Sequence, residues 1–160
     1  MGRRGPHPIT RVLYRLPVYL YRLGLGWLLG TRFLMVEHTG RKSGRRYQTV
    51  VEVAGWDPAT DTYLVASGYG LYADWYRNLK ASPETIIQIG RKRLAARARH
   101  LGPEESGQAM VGYARQHPAA ARGLARLLEY KVSGGEGAYR QLGETEFPFV
   151  AFEPRATGEV

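Results

Sequence analysis

Residues 31–54 read Thr31-Arg32-Phe33-Leu34-Met35-Val36-Glu37-His38-Thr39-Gly40-Arg41-Lys42-Ser43-Gly44-Arg45-Arg46-Tyr47-Gln48-Thr49-Val50-Val51-Glu52-Val53-Ala54. Two runs rich in β-branched and aromatic residues, 32–39 and 47–54, enclose a five-residue turn with a glycine at each end, so the stretch predicts a hairpin. Downstream, 56–61 is a turn cluster of Asp, Pro and Thr leading to a third strand over 62–67. A glycine loop covers 68–73. Asp74 is then placed to accept the free N–H groups of a short helix running to residue 81, which Pro83 ends. Strands over 85–89 and 92–101 flank a Gly90-Arg91 turn. On the second of them Leu94, Ala96 and Ala98 share one face and Arg93, Arg97 and Arg99 the other, which predicts a core face and a cationic ladder.

Pro103, Glu104 and Glu105 suit the first turn of a helix to about residue 116, because proline has no N–H to leave unpaired there and the carboxylates match the helix dipole. Pro118 opens another helix, with Ala120, Leu124, Leu127 and Leu128 on one face. Gly134-Gly135 breaks it, and the Phe- and Val-rich segment 146–153 is a candidate closing strand. Upstream, Arg11, Arg15 and Arg22 fall on one stripe of a helical pattern over 10–23, kinked or restarted at Pro17. Three arginines and a proline interrupt it too often for a membrane span, leaving two readings: an interfacial helix, or one packed on the protein itself. The expected organisation is a flexible tail over 1–9, an amphipathic segment over 10–30, a barrel domain over 31–154 and a tail over 155–160. The expected class is α+β, with about six mainly antiparallel strands curled into a small barrel.

The 160 residues include 44% hydrophobic and 23% charged side chains, within the range of one globular domain and outside that of disordered chains. The absence of cysteine removes disulfides, thiolate metal sites and cysteine nucleophiles. It suits a reducing cytoplasm, with a peripheral position at the inner face of the membrane, reached through 10–29, left open. The formal net charge of +9 is uneven: residues 1–100 hold 17 Lys/Arg against 6 Asp/Glu, and residues 101–160 hold 6 against 8. The positive field concentrates anions. His7, His38, His100 and His117 have no i,i+4 pairing and no carboxylate at metal spacing, and Gly-x-Ser-x-Gly is absent, so neither a metal site nor a serine hydrolase is expected.

The turn at 40–46 places four cations and a hydroxyl in seven residues, with glycines that let main-chain N–H groups approach a ligand. Phosphate is its natural guest, although neither a Walker loop nor a dinucleotide fingerprint is present. A second segment, Ser67, Gly68, Tyr69 and Gly70 followed by Trp75, Tyr76 and Asn78, offers a wall for a flat ring and polar groups to orient it.

Taken in order, residues 39–46, 63–68, 74–84, the pair around Gly90-Arg91 and 147–154 resemble the deazaflavin-dependent nitroreductase and quinone reductase family. The resemblance implies an FMN-binding split-barrel-like fold and the deazaflavin coenzyme F(420), a hydride carrier with a phosphate and an acidic tail. It implies that Arg41, Lys42 and Ser43, with Arg45 or Arg46, hold the phosphate and tail. Trp75, Tyr76 and Asn78 would then flank the ring with Leu79 behind, and Ser67 would face the ring edge or substrate. Ser67, Tyr69 and Tyr72 are the candidate catalytic hydrogen-bond donors. The spaced tyrosines that line the pocket of nitroimidazole-reducing members are replaced here by His117-Pro118-Ala119-Ala120-Ala121-Arg122-Gly123. The expected partner is an electron-poor small molecule: a quinone, an activated alkene or a nitro compound. A homodimer is left open and nucleic acid is not expected. The alternatives are an FMN- or haem-binding barrel, or a basic anion- or membrane-binding module without turnover.

Overall fold

A computed structural model describes residues 22–23, 25–127 and 135–159. The expected tail over 1–9 and nearly all of the amphipathic segment fall outside them. A 3-10 turn, Gly26–Leu29, leads into β1 (Phe33–Thr39), which pairs antiparallel with β2 (Arg46–Asp57) from Phe33↔Glu52 to Thr39↔Arg46. β2 then shifts register between Val53 and Gly55 and continues against β3 (Thr62–Ala66). This bulge transfers the strand from one neighbour to the next, so part of the expected 56–61 turn belongs to β2.

The next elements are α1 (Asp74–Ala81), β4 (Glu84–Ile89), β5 (Lys92–His100), α2 (Pro103–Gln116), α3 (Pro118–Leu127), α4 (Glu136–Thr145) and β6 (Phe149–Glu159). The strands close in the order β1-β2-β3-β6-β5-β4, and β4 returns to β1 at Met35↔Gln88 and Val36↔Ile87. All six pairings are antiparallel. The closing strand begins and ends later than 146–153, and residues 155–159, expected as a tail, continue it. The helix α4 was not expected: a Gly-Gly break and internal glycines mask its apolar period.

Strand alternation produces two cores. On β6, Val150 and Phe152 point into the barrel with Leu34, Val36, Val65, Ile87 and Ala96, plugged at one end by Trp75, Tyr76 and Leu79 of α1. Phe149 and Ala151 point the other way, onto Met110 of α2 and Leu142 of α4, joined by Ala54 and Phe147. α2 and α4 cross at glycines: a Cβ on Gly143 would stand 2.8 Å from both Gly107 Cα and Met110 Cβ. The N-terminal turn of α2 is tied to β6 by Ser106 Oγ, which accepts the Phe149 N–H at 3.1 Å.

The ladder on β5 is real in placement but committed in charge. Arg93 pairs with Glu37, Arg97 with Glu84, and Arg99 with both Glu105 and Glu153. These are exposed or half-exposed pairs of small energetic worth, yet they leave no free cationic face on that strand. Asp74 also departs from expectation. Ala73 occupies the N-cap of α1 without side-chain capping, and the Asp74 carboxylate turns to Arg41 Nη1 at 3.0 Å.

Candidate active site

The turn after β1 folds back on α1. Arg41 donates its main-chain N–H to Asn78 Oδ1 at 3.1 Å and its Nη1 to the same oxygen at 2.9 Å, while Asn78 itself is buried. This fixes the start of the tip, and the positive φ of Gly44 closes it, with the Gly44 N–H donating to Gly40 O. A Cβ on Gly40 would stand 2.9 Å from Tyr47 Cε2 and closer still to Ser43 Oγ, so a side chain there would push both from their places.

Behind Asn78 lies a polar chain. Asn78 Nδ2 is 3.0 Å from His38 Nδ1, and His38 Nε2 is 2.9 Å from Thr49 Oγ1. His38 is buried between β1, β2 and α1, and desolvation lowers its pKa from 6.5 to about 4 against the opposing pull of the Asp74 carboxylate. It is a neutral imidazole at physiological pH.

A cavity of about 1100 Å³ opens beside this chain, between the tip, α1, β2, the loop after β3 and α2. Its polar end carries Gly40, Arg41, Lys42 and Ser43; Trp75, Asn78 and Tyr69 form a wall; Val50, Ala54, Met110, Tyr113 and Phe147 line the apolar end. Burial raises the Tyr113 pKa, reinforced by Glu52 and opposed by Arg32, so its phenol stays protonated and able to donate.

The floor of the cavity is an open strand edge. Residues 46–52 of β2 pair with β1 and, among the described residues, with no strand on their other side, since β3 joins only from Val53. Val53 N–H donates to Arg32 O, and Gly40 N–H donates to Arg45 O, so the odd-numbered main-chain groups of this stretch face β1. By alternation, the N–H and C=O groups of Gln48, Val50 and Glu52 face the cavity.

Of the residues singled out from sequence, Arg41, Lys42, Ser43, Tyr69, Trp75 and Asn78 converge on this one cavity. Six others do not line it. Arg45 and Arg46 are exposed beyond the tip, and Tyr72 is 81% exposed on the loop before α1. Leu79 is core, and Tyr76 is buried edge-on against His100. Ser67 is fully buried, its Oγ donating to Gly70 O at 2.7 Å, so it shapes the glycine loop. Sequence reading missed His38, Thr49 and Tyr113. Their one signal was polar residues placed on otherwise apolar faces, which does not reveal partners on other elements.

Among the described residues, no helix is long and apolar enough to cross a membrane. The fold and the sequence agree in their relatives. A Mycobacterium tuberculosis protein, Rv3178, whose name provisionally assigns it as an F(420)H(2)-dependent quinone reductase, is 38% identical over 79 residues. That match covers 48% of this chain and 65% of the relative. The solved structure of an F(420)-H2 dependent reductase, FDR-A, superposes with a TM-score of 0.52 at 21% identity, covering 76% of this chain and 94% of that one. A pyridoxamine 5'-phosphate oxidase-related, FMN-binding protein from Nostoc punctiforme superposes at 0.50 and 17% identity, covering 94% and 82%. At such identities these two structures establish the split barrel. The sequence model of the F(420)H(2)-dependent quinone reductases matches residues 15–123, about two-thirds of the chain, and the chain belongs to that family.

Proposed function

We propose that the protein is an oxidoreductase that uses reduced coenzyme F(420) to reduce an electron-poor organic acceptor of the quinone, activated alkene or nitro class. The observation that carries this reading is the convergence, in one cavity, of a cationic glycine turn, an indole wall and an open strand edge, in a chain of this family. The donor set fits an acidic, planar cofactor. Lys42 has no acidic partner among the described residues, whereas every arginine of the β5 ladder has one. Ser43 adds a hydroxyl, and the peptide groups of Gln48, Val50 and Glu52 present alternating donors and acceptors suited to a heterocycle edge.

When bound, the deazaflavin supplies two-electron hydride chemistry. The protein binds, orients and excludes water. Arg41 and Lys42 would hold phosphate and carboxylates, the first through the guanidinium N–H groups other than the Nη1 engaged by Asp74 and Asn78, and the second as a point charge. Trp75 gives the ring a flat, rigid neighbour, and Met110, Phe147 and Val50 keep the acceptor end dry. A quinone that accepts a hydride needs one further proton at oxygen. Tyr113 and Tyr69 both reach this cavity, and the raised pKa of Tyr113 keeps its proton available as a hydrogen bond to that oxygen.

Anaerobic mixing with reduced F(420) and a soluble benzoquinone or naphthoquinone tests the reading. Return of the oxidised deazaflavin absorbance at a rate proportional to protein supports it. Activity with reduced FMN alone would assign the cavity to the mononucleotide instead, and no turnover with quinone, alkene or nitro acceptors would refute it.

A further inference from the structure

The polar chain behind the cavity has a directionality that follows from its donors. Asn78 Oδ1 receives two hydrogen bonds from Arg41, whose main-chain N–H and Nη1 can only donate, so the oxygen of the amide must face Arg41. The NH₂ group therefore faces His38 Nδ1, which must accept. A neutral ring accepting at Nδ1 carries its proton on Nε2, and that proton goes to Thr49 Oγ1. A doubly protonated ring would set two donors against each other at the Asn78 contact. Burial works in the same direction, lowering the His38 pKa to about 4. Thr49 Oγ1 thus accepts from His38 through one lone pair, which fixes the orientation of the hydroxyl. Its own O–H has no acceptor among the described residues, and the side chain lines the cavity on β2.

We propose that Thr49 is a ligand-positioning hydroxyl that donates to a carbonyl oxygen of the planar molecule in this cavity, its O–H left available and its orientation set by His38 and Asn78. The chain also ends on Arg41 of the anion-holding tip, so it ties the placement of a ring to the placement of its acidic handle. His38 and Asn78 are positioning residues; they act through Thr49 and Arg41. A ring bearing C–H at that point leaves the hydroxyl unpaired, so the site favours a ring with a carbonyl there. The inference rests on the function proposed above only in naming the deazaflavin as the ring.

Two measurements test it. In ligand-free protein, long-range ¹H–¹⁵N NMR of the histidine rings should show His38 at pH 7 as the neutral Nε2–H tautomer. A charged or Nδ1–H ring overturns the inference and leaves the proposed activity untouched. In fluorescence titrations with oxidised F(420), Thr49→Val should weaken binding by about 3- to 10-fold, the worth of one neutral hydrogen bond, while Thr49→Ser restores it. His38→Leu should weaken binding as Thr49→Val does, and His38→Gln, whose amide still donates towards Thr49, should rescue it. Equal affinities for wild type, Thr49→Val and Thr49→Ser overturn the inference alone. A wild type that does not bind the deazaflavin at all overturns both readings.

Discussion

Asn78 Oδ1 holds Arg41 at both ends, 3.1 Å from its main-chain N and 2.9 Å from its Nη1, so a helix residue braces a turn 37 positions earlier in the chain. Both residues line the cavity. Replacing Asn78 with Leu keeps the volume but strands the Arg41 N–H and His38 Nδ1 in a buried setting. The expected cost is ~1–3 kcal/mol of unfolding free energy, read by urea denaturation, together with a loss of anion affinity at the tip. Unchanged stability and binding would show the brace to be idle.

The four cations of the tip are not equivalent. Arg41 and Lys42 line the cavity, and Arg45 and Arg46 do not. Single alanine substitutions should therefore cost F(420) affinity unequally, with Arg45→Ala and Arg46→Ala within about twofold of wild type, as expected of screened surface charges. Titrations at two salt concentrations provide the check. All four losses should shrink at high salt, and the Arg41 loss should shrink least because its guanidinium is the most enclosed.

His38 makes stability depend on pH. Its pKa is about 4 in the folded protein and near 6.5 unfolded. Between those values the unfolded chain binds more protons, so folding stability falls as pH drops from about 6.5 towards 4. Burial also lowers the His100 pKa, which adds a contribution of the same sign. The difference between wild type and His38→Gln isolates the first: the variant should lose less stability between pH 7 and pH 5, measured by denaturant midpoints. Parallel curves would contradict a buried neutral ring.

The crossing of α2 and α4 supports the acceptor end, because Met110 and Tyr113 project from α2 next to it. Gly143→Ala drives a methyl against the main chain of Ser106 and Gly107. A loss of ~1–3 kcal/mol, typical of overpacking, should appear in thermal unfolding, and α2 must move to relieve it. Binding at the polar tip should change less than turnover with a quinone.

Local chemistry made much of this legible. Glycines bracketing the tip, proline with two glutamates at the start of α2, and the alternation of Leu94, Ala96 and Ala98 are signals carried within a few residues, and the corresponding elements stand where those signals place them. The continuation of β6 past residue 154 was hidden because Pro154 and Gly158 read as strand breakers, whereas β6 finds a partner in β5 at Ala96↔Pro154. The site divides the same way. Lys42, Trp75 and Tyr69 announce themselves by type. The chain Thr49, His38, Asn78 and Arg41 does not, since its links span 11, 40 and 37 positions and exist only once β1, β2 and α1 have met. Ser67, which the resemblance turns towards the ring edge or substrate, has its hydroxyl committed to the Gly70 carbonyl, a contact no local signal announces.

Binding of the cofactor itself decides the account. Oxidised F(420), titrated with wild-type protein at moderate salt, should show saturable quenching or a shift of its fluorescence, and Arg41→Ala combined with Lys42→Ala should abolish it while leaving the folded state intact by circular dichroism. Equal binding by the folded double variant would contradict the assignment of the glycine turn as the anion grip.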